Sequence, residues 1–71
     1  MLKNYYLNTD ATTNPHYNHE VHTEDCAYLP SPRNRIYLGL FNSPIDAVKA
    51  AKRFYYNVDG CAVCCPSCHL E

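Results

Sequence analysis

Two short runs carry nearly all the side chains in this chain that are suited to coordination chemistry. His22-Thr23-Glu24-Asp25-Cys26 sets an imidazole and a thiol at His-x3-Cys spacing, while Cys61, Cys64, Cys65 and Cys68 crowd into the C-terminal stretch Gly60-Cys61-Ala62-Val63-Cys64-Cys65-Pro66-Ser67-Cys68-His69. Cys-x2-Cys on a tight turn presents two thiolates from one loop, His-x3-Cys presents two more soft or borderline donors, and two such pairs from distant segments close a tetrahedral zinc site. The spacing points to zinc on His22, Cys26, Cys61 and Cys64. Cys65 and Cys68 form a second competent pair and His69 offers a further imidazole, so ligand sets that swap one of these in stay open. The first pair is preferred because it follows directly on Gly60, which can turn the chain into a knuckle, and because Pro66 suits a short turn that points Cys65 away.

A closed four-ligand site is structural, since a hydrolytic zinc keeps one position free for water. Glu24 and Asp25 lie next to the expected ligands, but nothing else in the sequence shapes a substrate pocket, so no enzyme is expected. A different class of function is also open: a thiol-reactive protein that accepts alkyl groups or senses redox state through Cys64, Cys65 or Cys68. The odd count of five cysteines argues against a pure disulfide framework. With no apolar leader at Met1-Leu2-Lys3-Asn4-Tyr5-Tyr6 and no run near the roughly 20 apolar residues of a membrane span, a reducing cytoplasmic setting is expected, with no membrane partner.

The net charge of −1 moves to −2 once three thiolates and a divalent ion are counted. Strong non-specific DNA binding draws on several basic groups, and only Lys3, Arg33, Arg35, Lys49, Lys52 and Arg53 are available. The partner is therefore unknown, with a weak nucleic-acid or protein partner left open and a monomer expected. The seven tyrosines invite base stacking, but Tyr28, Tyr37, Tyr55 and Tyr56 read more simply as amphipathic core bulk. His16 and His19 read as solvated.

The elements that must position the ligands can be placed from periodicity and punctuation. At 71 residues there is room for one domain, and chains of this size commonly need a staple because the core alone supplies about 3–5 kcal/mol. Residues 1–16 read as a flexible polar N-terminal arm with a short strand near Tyr5-Tyr6-Leu7, residues 17–69 as the zinc-binding domain, and Leu70-Glu71 as a tag scar. His19-Glu20-Val21-His22 reads as a strand leading into the ligand turn, and Leu29-Pro30-Ser31-Pro32-Arg33-Asn34 as a loop. In Arg35-Ile36-Tyr37-Leu38-Gly39-Leu40-Phe41, alternation puts Ile36, Leu38 and Leu40 on one face, expected to be core. Ser43-Pro44-Ile45-Asp46 has the form of a helix start, with Ser43 as N-cap and Pro44 at N1. Ala47, Val48, Ala51, Phe54, Tyr55 and Val58 then recur at helical steps, so an amphipathic helix is expected over about 44–56, stopped by Asn57-Val58-Asp59-Gly60 with Gly60 at positive φ. The expected fold is α+β, a small antiparallel sheet with one helix and a structural zinc, of ββα type.

This order resembles the Ada-type metal-binding domain. That family carries an H-x3-C pair, a proline-containing loop, an N-R-[VI]-Y-[FL] strand, a helix opened by Ser and a closing cysteine knuckle after Gly. The matching residues are His22-x3-Cys26, Pro32-Arg33-Asn34-Arg35-Ile36-Tyr37-Leu38, Phe41-Asn42-Ser43-Pro44-Ile45-Asp46-Ala47 and Gly60-Cys61-Ala62-Val63-Cys64, a match over roughly residues 17–65. The resemblance implies zinc on His22, Cys26, Cys61 and Cys64 and a DNA-associated role. The methyl-accepting Ada domain has four cysteines, whereas this chain has His22 at the first ligand position and extends into Cys65, Cys68 and His69. Methyl acceptance is therefore not expected.

Overall fold

Residues 1–70 are described in a computed structural model of the chain. Four strands and one helix form an α+β unit: β1 (Lys3–Asn8), β2 (His19–Thr23), β3 (Arg35–Phe41), α1 (Pro44–Ala51) and β4 (Val58–Gly60). The sheet order is β3-β1-β2-β4, with β1 antiparallel to both neighbours and β2 parallel to β4. The expected all-antiparallel sheet is thus corrected to a mixed one. β4 runs parallel because α1 carries the chain back across one face of the sheet before β4 begins, as a crossover connection requires.

β1 forms because its residues alternate. Tyr5 and Leu7 point into the core with Val21 of β2, while Asn4, Tyr6 and Asn8 take the other face. Leu7 and Val21 have no exposed surface, and full burial of such side chains stabilises by about 1.5–3 kcal/mol each. The short strand expected near Tyr5-Tyr6-Leu7 is β1, longer than expected at Lys3–Asn8, and it is the second strand of the sheet rather than part of a flexible arm. The polar residues after β1 are ordered by local bonds: the Asn8 side chain accepts from the Asp10 N–H at 2.8 Å, and Asp10 accepts from the Thr12 N–H at 3.1 Å.

α1 begins where its cap signals place it. The Ser43 hydroxyl accepts from the Asp46 N–H, and Pro44 opens the first turn. Ala47 and Ala51 face the sheet with no exposure, small enough for close helix-to-sheet packing, and Cys65 joins them in the core. The helix ends at Ala51 rather than near 56, so Phe54 is exposed instead of joining an apolar stripe. Gly60 does not stop the helix at positive φ; it lies in β4.

In β3 the strict alternation breaks. Tyr5 pairs with Gly39 and Tyr6 with Tyr37, so Leu38 is the extra residue of a β-bulge, and Gly39 takes φ +127°. The phase change turns Leu40 outward, 56% exposed, and brings Phe41 against the core in its place. Ile36 and Leu38 keep the expected inward side. Among the tyrosines expected to fill the core, Tyr28, Tyr37 and Tyr56 are exposed and only Tyr55 packs inward, while Tyr5 supplies the buried ring. Glu71, half of the expected tag scar, lies outside the described residues; the Leu70 N–H donates to the Asp59 carboxylate at 2.8 Å.

Candidate metal centre

His22 leaves β2 on the face opposite Val21 and is 2% exposed. One turn further on, the Cys26 N–H donates to the Thr23 carbonyl at 3.1 Å, and the Thr23 hydroxyl donates to Asp25 at 2.7 Å, which folds the chain back so that Cys26 meets His22. Cys61 follows β4, anchored by its N–H to the Val21 carbonyl at 3.0 Å. A turn closed by the Cys65 N–H on the Cys61 carbonyl at 2.8 Å then brings Cys64 to the same point.

His22, Cys26, Cys61 and Cys64 therefore converge, with their ligand atoms all within 4.8 Å of one another. The Cys26 Sγ lies 3.6 Å from His22 Nδ1 and 3.9 Å from the Cys61 Sγ, and the Cys64 Sγ lies 3.9 Å from His22 Nδ1. Metal bonds of about 2.3 Å to sulfur and 2.0 Å to nitrogen in a tetrahedron place sulfurs about 3.8 Å apart and nitrogen about 3.5 Å from sulfur. These three separations are within a few tenths of an ångström of that geometry. The four residues can hold a metal ion through Nδ1 and three sulfurs.

The surroundings suit such a centre. Burial lowers the His22 pKa to about 4, so the imidazole is neutral and its lone pair available at ordinary pH. Burial also raises the Cys26 thiol, which a bound cation would offset. The Thr23 N–H donates to the Cys64 Sγ and the Tyr28 N–H to the Cys26 Sγ, both at 3.4 Å, and such bonds favour the thiolate form. Cys65 is fully buried in the core beside the cluster, and burial pushes its thiol far above the usual range. As a protonated thiol it donates to the Cys64 Sγ at 3.9 Å. All five cysteines are free thiols.

The swapped ligand sets find no geometric support among the described residues. Cys65 fills the core, Cys68 lies in a separate 3-10 turn (Pro66–Cys68), and His69 Nδ1 donates to the Gly60 carbonyl at 2.9 Å and lies 3.2 Å from Asp59. His19, read as solvated, is 7% exposed, stacked on Tyr55 at 3.5 Å between ring centroids, and donates to the Asn8 carbonyl at 3.0 Å. Period-two alternation with Val21 was the signal available for its burial. Sequence reasoning also missed a pocket of about 290 Å³ beside the cluster, walled by His22 and Cys61 and reaching Glu20 and Tyr28. No local motif announces it, because its parts come from three separate segments. No described helix is long and apolar enough to cross a membrane. Comparison of the chain with protein-family models, with curated proteins and with solved structures returns no match.

Proposed function

We propose that this chain is a non-catalytic, zinc-held interaction module of the Ada-like kind, with the ion on His22, Cys26, Cys61 and Cys64 as its structural centre. The observation that carries this is the convergence of the four ligand atoms within 4.8 Å, with three of their separations close to tetrahedral values. Three thiolates with one imidazole match structural zinc in donor type, number and softness, and four protein ligands leave no position for a reacting water. The support for a structural centre is that its ligands join the end of β2 to the end of β4. The support for an interaction role is the exposed surface of Tyr37, Leu40, Ile45 and Phe54, beyond what a core of this size requires.

Native against denaturing mass spectrometry of freshly purified protein tests the centre. One zinc per chain with five unmodified cysteines is the expected result; a metal-free mass lowered by two or four protons would replace the zinc with disulfides. Salt-dependent binding to oligonucleotides tests the DNA-associated form of the role.

A further inference from the structure

The pocket beside the metal cluster joins two cluster residues to groups that neither the metal centre nor the core requires. Its inner wall is His22 and Cys61, its outer wall Tyr28 with Ala62 and Val63, and Glu20 supplies a carboxylate. At about 290 Å³ it lies at the small end of the range for ligand sites, the size of a fragment or of one side chain.

The electrostatics of the lining point one way. Asn8 and Thr13 of the lining are engaged with the loop after β1: the Asn8 amide donates to the Thr13 hydroxyl at 3.0 Å, and that hydroxyl donates to the Asp10 carbonyl at 2.9 Å. Glu20 is left as the formally charged group of the lining, and no lysine or arginine lines the pocket among the described residues. A concave site whose lining carries one carboxylate and no basic side chain favours a cationic occupant. Tyr28 offers a ring face or phenol to the same charge, and Ala62 with Val63 offers apolar contact to a short alkyl arm.

We propose that this pocket binds a primary alkylammonium group, the cationic head on Glu20 and Tyr28 and the alkyl arm along Ala62 and Val63. That chemistry has two sources, a free small amine or the lysine side chain of a polypeptide partner. Because His22 and Cys61 wall the pocket, the proposal rests on the zinc-held fold.

The test uses the zinc-loaded full chain, with zinc content fixed beforehand by native mass spectrometry, and follows amide shifts in two-dimensional NMR. Titration with n-butylammonium is expected to give saturable shifts at Thr13, Tyr28, Ala62 and Val63, with n-butanol and butyrate giving none. A lysine-containing peptide binding more tightly than butylammonium assigns the site to a polypeptide, and the reverse assigns it to a free amine. Loss of one charge-assisted hydrogen bond in Glu20→Gln should weaken binding roughly tenfold. Should Glu20→Gln fail to fold, Val63→Lys, at an exposed rim position, is expected to abolish binding by placing a fixed ammonium at the mouth. Absence of saturable shifts, equal binding of butanol, or undiminished binding to both variants overturns the proposal. Zinc present without amine binding would sink this proposal alone, whereas absence of zinc would sink the module itself.

Discussion

In the proposed zinc centre His22 combines burial with ligation, and the two reinforce each other. With its ring sealed under the cluster, the imidazole stays neutral down to a pKa of about 4, against about 6.5 in the unfolded chain. As pH falls below 6.5 the unfolded chain takes up a proton that the folded chain refuses, so the contribution of this group to stability declines until about pH 4 and is flat below it. A metal on Nδ1 steepens the loss in the same direction, because proton and ion compete for one lone pair. Denaturant unfolding of the zinc-loaded protein between pH 8 and 4 should show stability falling throughout, because the unfolded chain reprotonates the three thiolates, with a further steepening below 6.5 where His22 joins; a flat profile would mean that neither the thiolates nor His22 differ in proton uptake between the folded and unfolded states. The cysteines divide by role in the same way. Cys61→Ser is expected to lose zinc outright and Cys68→Ser to keep it. Cys65→Ser should keep zinc but cost about 1–3 kcal/mol, since a hydroxyl replaces a fully buried thiol among apolar neighbours. Metal content and denaturation midpoints of the three variants separate these outcomes.

At the level of elements, two glycines do different work. Gly39 holds φ +127° in the bulge that turns Leu40 out and Phe41 in, a conformation that L side chains rarely adopt. Gly39→Ala is therefore expected to cost about 1–3 kcal/mol while leaving zinc bound. Gly60 is required by proximity instead: a Cβ there would stand 2.7 Å from the Cys68 Cβ and 2.8 Å from the Cys65 carbonyl oxygen. Gly60→Ala should push the 3-10 turn off β4, costing roughly 1–3 kcal/mol as overpacking does, with shifts at Cys65 and Cys68 in NMR spectra. Neither effect was legible from residue types alone, since a bulge and a close approach depend on the partner strand. The start of α1 was legible because Ser43, Pro44 and Asp46 are local signals. Its end was not, because the apolar spacing runs on through Phe54 and Tyr55 after the backbone has left the helix. β1 was legible only as a short strand near Tyr5-Tyr6-Leu7, and its length and place beside two partners were not, because an outer face of Asn4, Tyr6 and Asn8 has the composition of a loop. The convergence of His22, Cys26, Cys61 and Cys64 was legible because coordination fixes residue type and spacing more tightly than packing does.

Taken whole, the molecule has too little interior to depend on apolar burial alone. Its buried core is Tyr5, Leu7, Val21, two alanines and Cys65, close to the size at which a core supplies only about 3–5 kcal/mol. A structural zinc in such a site contributes on the order of 10 kcal/mol or more of apparent free energy near neutral pH. Position matters as much as magnitude. The cluster ties the turn after β2 to the segment after β4, across 35 residues between Cys26 and Cys61, and so closes a loop that contains β3 and α1. Removing the proposed ion would leave three thiols and an imidazole crowded together and would release the two ends of that loop together. Chelation with EDTA should therefore unfold the protein in one cooperative step rather than fray its C-terminus, with loss of far-UV circular dichroism and collapse of amide dispersion, both restored by added zinc under reducing conditions. Apparent stability should rise by about 1.4 kcal/mol for each tenfold increase in free zinc, provided the unfolded chain binds the ion weakly. A dispersed spectrum that survives chelation would show that the sheet and α1 hold without the ion, and would make zinc a ligand of a finished fold rather than its staple.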